Sequence, residues 1–277
     1  GSDDVIAMSF LTFFNSQKPV LFPDITYSFY KVWADLYRIS YETPALDENM
    51  AIRPLDYKGE NGGIIFPNPN APTGVYMPLD QVEEIVKANQ DVIVIVDEAY
   101  IDFAGPSARE LLSGYDNLLV VQTFSKSRSM AGVRIGFALG SPVLIKALND
   151  VKYSYNSYTM NLPSQIAGVQ AVKDRAYFEA AKAKIIATRE RSKKRFAELG
   201  FTFPDSMTNF ILATHERVPA RAIFDALKKE RIYVRYFNAP RLDNSLRVSI
   251  GTDEEMDVLF RFLEQYLKEW KPAGDSE

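Results

Sequence analysis

The sequence contains no cysteine and one histidine, His215, among 277 residues. Without thiols there are no disulfides and no thiolate nucleophile. A lone imidazole supports neither a zinc site of the usual ligand set nor a serine-histidine pair. Positive charge is not in excess either: with a net charge of −4, no long-range field draws nucleic acid or an anionic membrane, and neither is expected as a partner. No apolar run reaches the ~18 residues that a bilayer crossing needs. The acidic start Gly1-Ser2-Asp3-Asp4 is unlike a secretory leader. Lack of cysteine is compatible with the cytoplasm, the expected location. Internal repeats and low-complexity linkers are missing as well.

What is present is an apolar fraction of 47%, enough for a large core in one large domain or two unequal ones. Apolar runs alternate with amphipathic ones. Strands are expected over residues 19–23, 39–41, 62–66, 92–96, 118–121 and 136–139, and helices over 3–14, 27–36, 79–89 and 142–151, with Ser2 or Asp3 capping the first. The run Val92, Ile93, Val94, Ile95, Val96 has no wet face, the mark of a parallel strand covered on both sides. Residues 162–200 read as long helix, with the charged run 189–195 as its solvated face. Shorter elements follow: strands at 210–213, 232–235 and 245–250, helices at 220–230 and 254–270, His215 in a loop, and a frayed end over 271–277. The expected fold class is α/β, a mostly parallel sheet between helices in a large domain, residues 1–164, with a smaller α+β domain over 165–277.

Chemistry concentrates at the strand ends. Lys126, in Thr123-Phe124-Ser125-Lys126-Ser127-Arg128, opens a loop after the apolar run 118–121. A lysine delivered there can, once deprotonated, attack a carbonyl carbon. Asp97 ends the most buried strand, in Asp97-Glu98-Ala99-Tyr100. A carboxylate in that position calls for a cation, and a pyridinium N–H is one; helix capping by Asp97 and simple packing of Tyr100 are the plainer alternative. Arg134, Ser125, Thr123 and the free N–H groups at Ser2 and Asp3 suit a phosphate monoester, although Arg134 also reads as a surface arginine. The turn from Asn68 to Gly74 is pinned by prolines, and Tyr27 can stack on a ring or fill the core.

Taken together, Asn-Ala-Pro-Thr-Gly, Asp-Glu-Ala-Tyr, Thr-Phe-Ser-Lys with Ala-Gly-Val-Arg-Ile-Gly, Ile232 to Phe237 and Leu246 to Thr252 resemble the fold-type I pyridoxal-phosphate aminotransferases. The similarity runs from Gly1 to about Trp270 and is greatest to those that act on histidinol phosphate. It implies pyridoxal 5'-phosphate as cofactor, joined covalently to Lys126, with Asp97 on the ring nitrogen, Tyr100 on the ring oxygen O3′ and Tyr27 against the ring face. Ser2, Asp3, Thr123, Ser125 and Arg134 would hold the cofactor phosphate. Arg235 and Arg247 match the pair that binds the substrate's acidic group, with Asn209 nearby. The implied reaction converts histidinol phosphate and 2-oxoglutarate into imidazole-acetol phosphate and glutamate, in a homodimer. Aromatic-amino-acid aminotransferases and threonine-phosphate decarboxylases share the core motifs; a fragment without activity, or a cofactor-sensing domain, is the reading of a different class. Two departures stand out. Ala71 occupies the place of the usual asparagine, which passes the O3′ contact to Asn70 or Asn68. Gly1 aligns with an interior segment, so the chain is expected to lack the amino-terminal arm, part of the small domain and a tyrosine that reaches the neighbouring subunit.

Overall fold

The computed structural model describes residues 1–271, so the expected frayed end falls almost wholly outside the described residues. Helix α1 (Ser2–Phe13) leads to β1 (Val20–Leu21), α2 (Phe29–Tyr37) and β2 (Tyr41–Glu42). Then come β3 (Ile64–Pro67), α3 (Leu79–Ala88), β4 (Val94–Asp97), β5 (Leu118–Thr123), β6 (Gly136–Gly140) and α4 (Pro142–Tyr155). The strands lie in the order β2, β1, β3, β4, β5, β6, and every neighbouring pair is parallel except β5 with β6.

Side-chain alternation explains why this sheet is covered twice. Ile64, Phe66, Val94, Val96, Leu118 and Val120 pack on one face against Val82, Ile85 and Val86 of α3. Their neighbours Ile65, Ile95, Leu119 and Val121 face Ile6 and Phe10 of α1, Tyr30 of α2 and Leu144 of α4. With no solvent on either side, each position must be apolar, and each such burial contributes about 1.5–3 kcal/mol.

Beyond α5 (Leu162–Lys173) and α6 (Arg175–Glu198) lies a second sheet. Its strands are β7 (Phe201–Thr202), β8 (Phe210–His215), β9 (Arg235–Tyr236) and β10 (Leu246–Ser249), with α7 (Ala220–Lys229) and α8 (Asp253–Glu269) as its helices. The order is β7, β8, β10, β9, antiparallel throughout. Ile211, Ala213, Leu246 and Val248 bury one face against Phe196, Ile223, Leu227, Leu259 and Phe260. The other face meets the first body: Leu212 joins its core, and Phe210 packs with Ala71, Tyr100 and Phe103. Arg247 alternates with Leu246 and Val248, and so points toward the ends of the parallel strands.

Several expectations change. Residue 2 lies inside α1, which begins from Gly1 without a side-chain cap. The helical stretch 162–200 is two helices, because Asp174 leaves helical geometry and its side chain accepts the Tyr177 N–H as the cap of α6. The charged run is not simply solvated: Arg189 is buried and donates to the carbonyls of Phe103 (3.0 Å) and Thr208 (3.2 Å). Arg191 and Arg195 pair with Asp257 and Glu264 of α8. His215 is no loop residue. It ends β8, buried, and its Nδ1 accepts the N–H groups of Arg217 and Val218. No described helix is long and apolar enough to cross a membrane.

Candidate active site

The first sheet's parallel strands deliver their carboxyl ends to one place. Tyr27 follows β1, Ala71 follows β3, Asp97 ends β4, and Lys126 follows β5. Because β6 runs antiparallel to β5, its start, with Arg134 just ahead, returns to the same end. Helix α1 brings its first turn there too. Gly136 makes that approach possible, since a Cβ on it would lie 2.4 Å from the backbone of Gly1 and Ser2. The result is a cavity of about 140 Å³ walled by Ser2, Asp3, Tyr27, Asp97, Tyr100, Ser125, Lys126 and Arg134, with Pro67, Ala71, Ala99 and Ala131 between them.

Asp97 is buried, with Oδ2 accepting the Tyr30 hydroxyl at 2.8 Å and Oδ1 the Ala99 N–H at 3.2 Å. Burial pushes its carboxyl up to about 6, against the opposing pull of those two hydrogen bonds. Lys126 Nζ lies 5.2 Å from the centre of the Tyr100 ring, which stands edge-on to Phe210 at 5.1 Å. The loop carrying the lysine is tied back by Ser127, whose hydroxyl donates to Asp102. Tyr27 donates its hydroxyl to Asp3 Oδ1, and burial followed by that carboxylate raises its phenol well above the usual range. With its carboxylate so engaged, Asp3 has its backbone N–H to offer an anion.

Hydroxyls and a guanidinium gather beside that helix start. Ser125 Oγ accepts from Thr123 Oγ1 at 3.0 Å and from Arg134 Nη1 at 3.4 Å. Thr123 itself is buried behind Ser125 and orients it, also accepting the Ser125 N–H at 3.1 Å.

Asn70 is not brought to this wall. It is buried, with its amide donating to the Ile25 carbonyl (3.0 Å) and Thr73 Oγ1 (3.1 Å) while its oxygen accepts from Thr26. Asn68 is likewise engaged with Met77 in both directions. The turn has cis bonds at Asn68-Pro69 and Ala71-Pro72 and a φ of 82° at Gly74, and it presents Ala71 to the cavity. Neither asparagine lines the cavity, and both amides are engaged within the turn and its neighbours.

A second cavity, about 670 Å³, shares the walls Tyr27 and Ala71 and contains Arg235 and Arg247 along with Lys31, Phe237 and Arg241. Arg241 binds Asp24 (2.9 Å) and the carbonyls of Leu46 and Asp47, fastening the second body to the first. Asn209 lines neither cavity; its carbonyl accepts the Ile250 N–H at 2.8 Å. Sequence reasoning missed Tyr30 as a partner of Asp97, and Lys31, Phe237 and Arg241 as walls. Only an aromatic at helical spacing hinted at the first.

These residues fit a phosphorylated pyridine. One oxygen of a buried carboxylate carries only a long backbone contact, a lysine shares its cavity, and hydroxyl, guanidinium and helix N–H donors converge a short way off. A mostly parallel sheet between helix layers, joined to a smaller antiparallel body, is the architecture of the fold-type I transferases. The chain belongs to the aminotransferases of class I and II, whose family model matches residues 1–263. Histidinol-phosphate aminotransferases from Lactococcus lactis subsp. cremoris (strain MG1363) and Clostridium acetobutylicum are 49% and 52% identical to it. Those matches span 97% and 92% of this chain and 75% and 73% of theirs. A crystal structure of the histidinol-phosphate aminotransferase from Clostridium acetobutylicum superposes with a TM-score of 0.90 at 24% identity, over 98% of this chain and 83% of that one. The Sinorhizobium meliloti enzyme, solved in complex with pyridoxal-5'-phosphate, superposes at 0.87 with 23% identity, over 97% and 75%.

Proposed function

We propose that the chain is a pyridoxal 5'-phosphate-dependent aminotransferase that interconverts histidinol phosphate and 2-oxoglutarate with imidazole-acetol phosphate and glutamate, working in histidine biosynthesis toward histidinol phosphate with glutamate as amino donor. The observation that carries this is Lys126 and a buried Asp97 in one cavity, next to a second that holds Arg235 and Arg247. The Lactococcus lactis and Clostridium acetobutylicum relatives, histidinol-phosphate aminotransferases 49% and 52% identical to this chain, support the choice of substrate.

When bound, the cofactor supplies an aldehyde for the amine and a protonated ring that draws electrons from the substrate's α-carbon. Asp97 would accept the ring N–H, in a charged hydrogen bond strengthened by its burial. Tyr27 and Ala99, which line the cavity, would give the ring apolar walls, and Tyr100 would offer its hydroxyl to the ring oxygen. The N–H groups of Ser2 and Asp3, with Ser125 and Arg134, hold the phosphate, while Thr123 fixes the Ser125 rotamer. Lys126 Nζ takes the proton from the substrate α-carbon and holds it for return, acting as general base and then acid. Arg235 and Arg247 receive the acidic group of either substrate, and Asn209 shapes the strand end beside them. Asn70 serves this site only through the turn that it braces.

Residues 1–164 would form the cofactor-binding unit and 165–277 the smaller one, and among the described residues each has its own core. A homodimer is part of the proposal. Leu162, Ile166, Val169 and Val172 form an exposed apolar stripe on α5, beside a groove of about 490 Å³ that includes Phe124, two residues before Lys126. A cytoplasmic location fits the reaction. Steady-state turnover of histidinol phosphate, phenylalanine and threonine phosphate with the same preparation tests the substrate. Preference for histidinol phosphate is expected, and preference for either of the others would replace this reading.

A further inference from the structure

We propose that Tyr30 is a positioning residue that keeps Asp97 ionised and leaves its Oδ1 free for the cofactor ring nitrogen. This rests on the cofactor reading above. Tyr30 is fully buried on the inner side of α2, its ring packed by Phe10, Phe22 and Tyr27 at centroid distances of 6.3, 6.0 and 5.6 Å. A phenylalanine would satisfy those contacts equally well. The hydroxyl is the part that needs explaining, because a buried polar atom is costly unless bonded, and it donates to Asp97 Oδ2 at 2.8 Å.

That single bond separates the two carboxylate oxygens. Oδ2 is claimed from behind by a group that burial and the neighbouring carboxylate hold neutral, and hence a donor. Among the described residues Oδ1 accepts only the Ala99 N–H, at 3.2 Å, and a carboxylate oxygen has room for another donor. The other charged or titratable groups acting on Asp97 work in opposite senses: Asp3 of α1 disfavours its charge, and Lys126 of the loop after β5 favours it. Tyr27 also lies within electrostatic reach. Tyr30 is the donor among them that is sealed from solvent.

The test compares wild type with Tyr30→Phe and with 3-fluorotyrosine placed at position 30, whose more acidic hydroxyl is a stronger donor. In the cofactor-free protein, the Asp97 titration is read as the infrared carboxyl band that disappears in Asp97→Asn. Tyr30→Phe should move its midpoint up by about one to two pH units, and 3-fluorotyrosine should move it down. Pyridoxal phosphate binding, followed by absorbance, should weaken about five- to fiftyfold in Tyr30→Phe at pH ~6, with the gap closing by pH ~9 as Asp97 ionises in both. An unmoved midpoint in a folded variant overturns the proposal, as does a binding loss of equal size at every pH. If Tyr30→Phe does not fold, the 3-fluorotyrosine shift decides. Failure of the wild type to bind pyridoxal phosphate defeats the cofactor reading, while the midpoints still report whether Tyr30 governs the charge of Asp97.

Discussion

Arg235 and Arg247 stand directly opposite each other across β9 and β10, two guanidiniums on one face of the sheet. Arg247 packs on Phe210 and Phe237, and Arg235 on Phe237, whereas Arg221 and Arg241 nearby are neutralised by Asp225 and Asp24. Like charges facing each other cost stability, so the pair makes sense as a receptor for an anion. Arg247→Gln should lower kcat/KM for histidinol phosphate about 10- to 100-fold, the worth of a charge-assisted hydrogen bond. Its melting temperature should stay level or rise. A stability loss with unchanged kinetics would assign the pair a structural role.

Burial of Asp97 gives a stability signature with a definite sign. Its folded-state value, about 6, lies above the ordinary 3.8, so the folded cofactor-free protein carries a penalty for the ionised group above pH ~6. That penalty is relieved as pH falls toward ~4, because the folded state takes up the proton first. Asp97→Asn should therefore be the more stable apoprotein at pH ~8, by roughly 2–3 kcal/mol at most, with the difference shrinking between pH ~6 and ~4. Chemical denaturation of both proteins across that range reads it. A difference that grows on acidification would mean that the carboxylate is stabilised in the fold.

Gly136 lets the first turn of α1 meet the start of β6 through what it lacks. Gly136→Ala must push the first turn of α1 away from the start of β6, given the 2.4 Å separation from the backbone there. Overpacking of this kind costs about 1–3 kcal/mol. The displacement should also weaken pyridoxal phosphate binding more than binding of pyridoxal, which lacks the phosphate. Equal weakening of both, by equilibrium dialysis, would remove this turn from the phosphate site.

The stripe of Leu162, Ile166, Val169 and Val172 on α5 is exposed in the single chain. Ile166→Glu places a charge at its middle, where the native side chain is 57% exposed. Sedimentation should show a dimer for the wild type and a shift toward monomer for the variant. A monomeric wild type would leave this surface to some other partner.

Much of the fold was legible because the strands in the middle of the sheet are covered on both faces. The short β-branched and apolar runs at β3, β4 and β5 read as covered strands, and Asp97, Tyr100 and Lys126 lie at or just past their ends. What stayed hidden depends on partners distant in sequence. Nothing local says that Tyr30 bonds to a residue 67 positions away, or that Arg189, inside a run of charges, reaches the carbonyls of Phe103 and Thr208. The place of Asn70 off the cavity wall was hidden for the same reason: its amide donates to Ile25 and Thr73, which no spacing rule reveals. The break at Asp174 was readable, since aspartate is a preferred cap, but without glycine or proline the helical pattern ran through it.

The proposed reaction turns on Lys126, which would hold pyridoxal phosphate and then move the substrate's α-carbon proton while the amino group passes from substrate to cofactor. An absorption spectrum of the purified protein with pyridoxal phosphate, before and after glutamate, tests it most directly, with Lys126→Ala alongside. The wild type should show the band of lysine-bound cofactor, and glutamate should convert it to the pyridoxamine form. Lys126→Ala should bind the cofactor without that band and lose turnover by about 100-fold or more. A wild type that leaves the free-cofactor spectrum unchanged, or a Lys126→Ala protein that transaminates normally, would contradict the account.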